Sequence, residues 1–133
     1  MSPFRPSVFL RRALLADALV SGATGILMVA GANFVAGLLG LPASLLQEAG
    51  IVLIPYGAAV AFLGTRERVV AAAVWAVIIA NGVWAAASVA LLGSGLIDPT
   101  WLGDAFVTAQ ALVVALFAAL QHMGLHRTAV AAA

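Results

Sequence analysis

Asp17 is the residue best placed to do chemistry, because an acid inside an apolar segment is costly to bury and by default marks a functional site. It lies five residues after Arg12 and one helical turn before Ser21. At 1.5 Å per residue Asp17 is only about 7.5 Å deeper than Arg12, so we expect it near a membrane interface, paired with an arginine or with His122. A structural ion pair and proton or substrate coupling both stay open, and the shallow depth favours the ion pair.

Three polar side chains lie near the middle of three later apolar segments. They are Tyr56, Asn81 and Gln110. We expect them to meet in the interior as one hydrogen-bonded cluster. Such a cluster can bind a small polar ligand, or it can satisfy itself and fix the register of the helices, which is the commoner use.

The last apolar segment has a polar residue near each end of one helical stripe. Asp104 and His122 share this stripe with small residues, so both are candidate binding residues, although close helix packing explains the stripe equally well. His122 and His126 are four residues apart and could hold a metal, but Asp17 is the only acid that could complete the set. Solvated histidines at a helix C-terminus are the simpler interpretation, and we expect no metal and no cofactor.

Motifs for catalysis are missing from the sequence. It contains no nucleophile elbow, P-loop, H-E-x-x-H or glycine-rich dinucleotide fingerprint, and it has no cysteine. We therefore expect no catalytic residue and no enzymatic activity. A net charge of +1 without a basic run also gives no electrostatic footprint for nucleic acid.

Composition indicates which environment must hold these residues. Of the 133 residues 65% are hydrophobic and only 8% are charged, and the mean hydropathy is +1.16. A small soluble domain exposes much of its surface and is usually about 25% charged, so this surface must face lipid. We expect one integral membrane domain over residues 1–133.

Four long apolar segments divide the chain, at about 10–41, 45–64, 69–92 and 99–125, each long enough to cross a bilayer as a helix. We expect an all-α, up-down-up-down four-helix bundle. Ser44 and Gln47 form a capping box at the start of the second segment. Asp98 is the expected N-cap of the fourth segment, with Pro99 as its first helical residue.

Charges predict the orientation of this bundle. Glu48 and Asp98 fall on one side of the four segments, and all six arginines fall on the other: Arg5, Arg11, Arg12, Arg66, Arg68 and Arg127. By the positive-inside rule both termini are cytoplasmic.

The N-terminus also has features of a cleavable signal peptide, with Arg11 and Arg12, an apolar run and the small residues 30–32. Asp17 interrupts that run, which then continues past the small residues. We therefore expect a retained helix.

Strings spread over nearly the whole chain resemble a group of small four-helix bacterial inner-membrane proteins without an established activity. These strings are LLADALVSGATGILM, LLGLPASLL, VIIANGVWAAASVALL and FVTAQALVVALFAALQ. In size and helix number the chain is also similar to DoxX-like membrane proteins. The resemblance implies the four-helix fold and the bacterial inner membrane.

Three classes of function fit these features. The first is an accessory, assembly or interaction subunit that packs in the bilayer as a homo-oligomer or in a larger membrane complex. The second is a minimal proton-coupled transporter resembling the small multidrug resistance family, with Asp17 as its essential acid, although the shallow depth and the strong arginine bias argue against it. The third is a subunit that binds quinone, lipid or haem between its helices, for which Tyr56 and the histidines are the support.

Overall fold

Five helices make up the computed structural model, which describes residues 2–132. In chain order they are α1 (Val8–Ala30), α2 (Ala32–Leu39), α3 (Ala43–Thr65), α4 (Ala71–Gly93) and α5 (Trp101–Ala132). Over these residues the all-α prediction is confirmed, and four of the helices, all but α2, are long and apolar enough to cross a membrane. The predicted segments 45–64 and 69–92 agree with α3 and α4 within two residues at each end.

The first apolar segment is broken, and the prediction of one helix over 10–41 is wrong. Gly31 separates α1 from α2 with φ −109° and ψ 22°, outside the helical region. Gly40 then ends α2 with φ 68°, a left-handed conformation that glycine adopts without strain. The predicted start is close to the observed one, since the Ser7 hydroxyl accepts from the Leu10 amide at 3.1 Å and caps α1.

Both predicted caps of later helices are wrong. Pro42 precedes α3 and no side chain caps it, so Ser44 and Gln47 form no capping box. The fourth segment begins as α5 at Trp101 rather than Pro99 and runs to Ala132, well beyond the predicted end at 125.

Thr100, not Asp98, caps α5. Thr100 also forms hydrogen bonds to the end of α2. Its hydroxyl accepts from the Gly103 amide at 3.2 Å and donates to the Leu38 carbonyl at 3.0 Å. Its own amide donates to the Leu39 carbonyl at 3.0 Å. One residue therefore closes the start of α5 and joins it to α2.

Two helix pairs form the bundle. Helix α1 packs most extensively against α3, α4 packs against α5, and α1 also packs against α5. At one end of the bundle the Arg11 guanidinium donates to the carbonyls of Gly64 and Arg66, at 2.6 and 3.0 Å. These bonds satisfy carbonyls at the C-terminus of α3, where a cation also complements the helix dipole.

Two apolar clusters fill the interior. Leu10, Leu14 and Val60 belong to the cluster near the arginine-bearing end, and Leu39 and Leu46 belong to the cluster near the opposite end. Asp17 and its polar partners lie between the two clusters. Along the bundle axis the core therefore consists of an apolar layer, the polar layer around Asp17 and a second apolar layer.

Glycines bring α1 and α3 into close contact. A Cβ atom on Gly50 would lie 2.7 Å from the Gly25 carbonyl oxygen, and one on Gly57 would lie 3.0 Å from the Gly22 amide nitrogen. Because those neighbours are backbone atoms, a side chain there forces the helices apart. Small residues at such crossings are the usual route to close packing within a membrane.

We predict that Gly57→Ala destabilises the protein by about 1–3 kcal/mol, the usual effect of overpacking a close contact. Gly82→Ala is the matched control, since a Cβ at Gly82 meets nothing within 4 Å and alanine favours the helix. Thermal unfolding in detergent should show a lower midpoint for Gly57→Ala and an equal or higher midpoint for Gly82→Ala. Equal midpoints for the two variants would contradict the close crossing.

Candidate functional site

Asp17 is the centre of a buried hydrogen-bond network. Its side chain is 0% exposed. Oδ1 accepts from the Ser21 hydroxyl at 2.9 Å, and Oδ2 accepts from the Tyr56 hydroxyl at 2.9 Å, the Asn81 amide at 2.9 Å and the Gln121 amide at 2.7 Å. The carboxyl group therefore has four donors, and Oδ2 alone has three.

The helices bring these donors to one level. Asp17 is the tenth residue from the start of α1, and Tyr56 is the tenth from the end of α3. Asn81 is the eleventh residue of α4, and Gln121 is the twelfth from the end of α5. At 1.5 Å per residue Asp17 lies about 14 Å along a helix of about 35 Å, close to mid-height.

Asp17 does not have the surroundings that the sequence predicts. It lies nine residues, about 14 Å, after the start of α1 at Val8. Arg11 instead donates to carbonyls at the end of α3, and His122 is exposed, its ring 5.4 Å from that of Trp75. The predicted pairing with an arginine or with His122 is therefore wrong.

All four donors to Asp17 are neutral, which sets it apart from a buried ion pair. Four donors match the lone pairs of an ionised carboxylate, but they bring no opposite charge. The other four acidic residues of the chain, Glu48, Glu67, Asp98 and Asp104, are exposed. Asp17 is therefore the one acidic side chain that a cation entering this buried layer would contact.

Tyr56 lies within hydrogen-bond distance of both Asp17 and Asn81. Its hydroxyl oxygen lies 2.9 Å from Asp17 Oδ2 and 3.0 Å from Asn81 Oδ1, but a hydroxyl has one hydrogen to donate. The Tyr56 hydroxyl therefore lies between Asp17 on α1 and Asn81 on α4 and can give its hydrogen to either oxygen.

Asn81 on α4 and Gln121 on α5 complete the network around Asp17. The Asn81 amide also donates to Gln121 Oε1 at 3.1 Å, so the two amides are joined to each other as well as to Asp17. Among the side chains that the structure describes, every buried nitrogen and oxygen has a hydrogen-bond partner. The polar layer is therefore complete.

Gln110 lies in a second cluster nearer the opposite end, so the prediction that it joins Tyr56 and Asn81 is wrong. The Trp84 indole donates to Gln110 Oε1 at 2.9 Å, and the Gln110 amide donates to the Ser88 hydroxyl at 2.8 Å. Ser88 in turn donates to the Trp84 carbonyl at 2.8 Å. This cluster links α4 to α5.

Two cavities lie beside these clusters, and residues of α1, α3, α4 and α5 line each of them. One of about 190 Å³ is lined mainly by apolar side chains, with Trp84, Ser88 and Gln110 among them. Another of about 100 Å³ is lined by Ser21, Tyr56 and Asn81, three residues that contact Asp17. Leu53 and Trp84 line both cavities, so the larger one adjoins the smaller one at the edge of the Asp17 network.

The remaining candidates lie outside this site. Asp104 is exposed in the first turn of α5, and His122 and His126 are exposed near its other end. Over residues 2–132, no group of three or more histidine, aspartate and glutamate side chains is arranged to hold a metal ion. His122 is exposed and its ring packs edge-on against that of Trp75.

Two members of the network, Ser21 and Gln121, are not among the site residues predicted from the sequence. Ser21 had a usable signal, since a residue four positions after Asp17 lies on the same helical face. Gln121 had a weaker one, because an amide in an apolar segment needs a partner but its partner depends on helix register.

Comparisons with known proteins do not assign the chain to a family. No protein-family model matches it, and neither the curated proteins nor the solved structures yield a significant match.

Proposed function

We propose that this chain is a multi-pass bacterial inner-membrane protein that exchanges a proton on Asp17 for a small lipophilic cation, as a minimal proton-coupled transporter. The observation that carries the proposal is the placement of Asp17, wholly buried at mid-height with four neutral donors. Ionisable groups at such depth are rare in membrane proteins and usually mark ion or substrate pathways.

The topology proposed is up-down-up-down with both termini in the cytoplasm. Its support is that Asp17 lies in the first half of α1, whereas Tyr56 and Gln121 lie in the second halves of α3 and α5, as expected of helices that run in opposite directions. The six arginines then fall on one side, which the positive-inside rule assigns to the cytoplasm.

The two cavities beside the Asp17 network indicate the class of substrate. The larger is mostly apolar and measures about 190 Å³, and an apolar cavity of about 150 Å³ is enough to take up benzene. The smaller leads to Tyr56 and Asn81, behind which Asp17 lies. An organic cation with an apolar ring matches both the apolar walls of the larger cavity and the negative charge of Asp17 beyond the smaller one.

The exchange needs only the groups already in contact. When Asp17 loses its proton, Tyr56 donates to Oδ2, and a negative charge remains that neutral donors stabilise but do not neutralise. A cation in the smaller cavity lowers the free energy of that state, because charges attract strongly where the dielectric constant is low. Proton binding and cation binding at Asp17 therefore exclude each other.

We predict that liposomes containing the protein release internal protons when phenyltrimethylammonium is added outside, and that Asp17→Asn reduces this flux to the level of empty liposomes. Asparagine keeps an oxygen for the donors of Oδ2 but cannot ionise. Asp104→Asn is the matched control, since it removes an exposed acid from α5. A pH-sensitive dye inside the liposomes reports the flux.

Correct folding of each variant is checked by its helical circular dichroism and by monodisperse elution in detergent. A folded Asp17→Asn variant with wild-type flux would refute the role of Asp17. A wild-type flux no greater than that of empty liposomes would refute exchange for a cation.

A second candidate function is that of an accessory or assembly subunit, which packs against a second copy or a larger complex. The observation that favours it is the outer face of α4. This helix is the least buried of the four long helices, and one exposed stripe along it is rich in small residues: Ala72, Ala76, Ile79, Val83, Ala86 and Ala90. Such stripes allow close helix contact in membranes.

Cysteine crosslinking tests self-association through α4, because the chain has no cysteine of its own. We predict that Ala76→Cys and Val83→Cys form disulfide-linked dimers in native membranes. Leu19→Cys, on the outer face of α1 and 73% exposed, is the control and should not crosslink. Equal crosslinking at all three positions, or none at any, would argue against a specific α4 interface.

A further inference from the structure

A groove on the outer surface lies between α1 and α5, separate from the Asp17 site. Its volume is about 510 Å³, and its lining is apolar apart from one arginine: Val8, Phe9, Arg12, Ala13, Ala16, Phe117 and Leu120. No residue of the Asp17 network is among them. The groove therefore needs its own explanation.

One guanidinium group lines this groove, and a second packs on one of the side chains that form its wall. Arg12 lines it and is exposed. The Arg127 guanidinium lies 4.8 Å from the ring centroid of Phe9, which is one of the groove walls. Arg11, the neighbour of Arg12, differs because its guanidinium donates to the carbonyls of Gly64 and Arg66.

Depth along α1 matches one leaflet of a bilayer. Arg12 is the fifth residue of α1, about 6 Å from its start, and Ala16 is about 12 Å from it. Half of a hydrocarbon core is about 15 Å thick. From that position the long side chain of Arg12 can reach headgroup level, while the apolar walls continue to the depth of acyl chains.

We propose that this groove binds one anionic phospholipid, with its phosphodiester between Arg12 and Arg127 and an acyl chain along Phe117 and Leu120. Arginine suits this contact because its planar guanidinium can bind two phosphate oxygens at once. Basic pockets between transmembrane helices at the cytoplasmic side are known to hold anionic headgroups. The proposal rests on the membrane-spanning part of the proposed function and does not depend on Asp17.

The test uses the full chain in mild detergent, titrated with phosphatidylglycerol or with phosphatidylcholine of the same acyl chains. Native mass spectrometry counts bound lipid, and thermal unfolding follows its effect on stability. We expect one phosphatidylglycerol to be retained and to raise the unfolding midpoint, with little effect of phosphatidylcholine. Arg12→Gln should weaken phosphatidylglycerol binding on the order of fivefold, as expected for one lost charge contact.

Arg68→Gln is the matched control, because it removes the same charge from the connection between α3 and α4, outside the groove. It should leave the affinity for phosphatidylglycerol unchanged. Equal losses in Arg12→Gln and Arg68→Gln, equal binding of both lipids, or the same stabilisation by inorganic phosphate alone would each overturn the proposal. Proton release that depends on Asp17 should persist in Arg12→Gln, so failure here is distinguishable from failure of the transport proposal.

Discussion

A carboxyl group buried at mid-height, whose hydrogen-bond donors among residues 2–132 are all neutral, is the constraint on which the rest of this structure depends. A buried, unpaired charge is among the most costly groups that a protein can contain, so hydrogen bonds from the surrounding helices must offset its loss of solvation. Here α1, α3, α4 and α5 each contribute one donor to Asp17, from Ser21, Tyr56, Asn81 and Gln121. Since three of these bonds meet at one oxygen, a shift of any one helix along its axis breaks the layer.

The apolar packing is consistent with this requirement. Glycine contacts hold α1 against α3 at a fixed height, while the Gln110 cluster ties α4 to α5. The two pairs meet where α1 packs against α5, and α3 and α4 meet through Tyr56 and Asn81, beside the cavities. The side of the bundle with the least direct packing is thus the side on which the polar layer can be reached.

Hydropathy was sufficient to predict the long helices, because apolar runs of this length are compatible with few structures other than long helices. It did not predict the break at Gly31, since the residues on both sides are equally apolar and only local backbone geometry separates them. Register was the larger obstacle: Gln110 and Gln121 are eleven residues apart, about three helical turns, and so share one stripe. Only the true ends of α5, Trp101 and Ala132, show which of them reaches the level of Asn81.

Infrared difference spectroscopy of the protein in lipid bilayers, recorded between low and high pH, tests the central claim most directly. A protonated carboxyl group has a C=O stretching band above the amide I region, and burial beside neutral donors separates it from the bands of exposed acids. We predict one such band that disappears as the pH rises and that is missing from Asp17→Asn but present in Asp104→Asn. A wild-type spectrum without this separate pH-dependent band, or a separate band that persists in Asp17→Asn, would contradict a proton-exchanging role for Asp17.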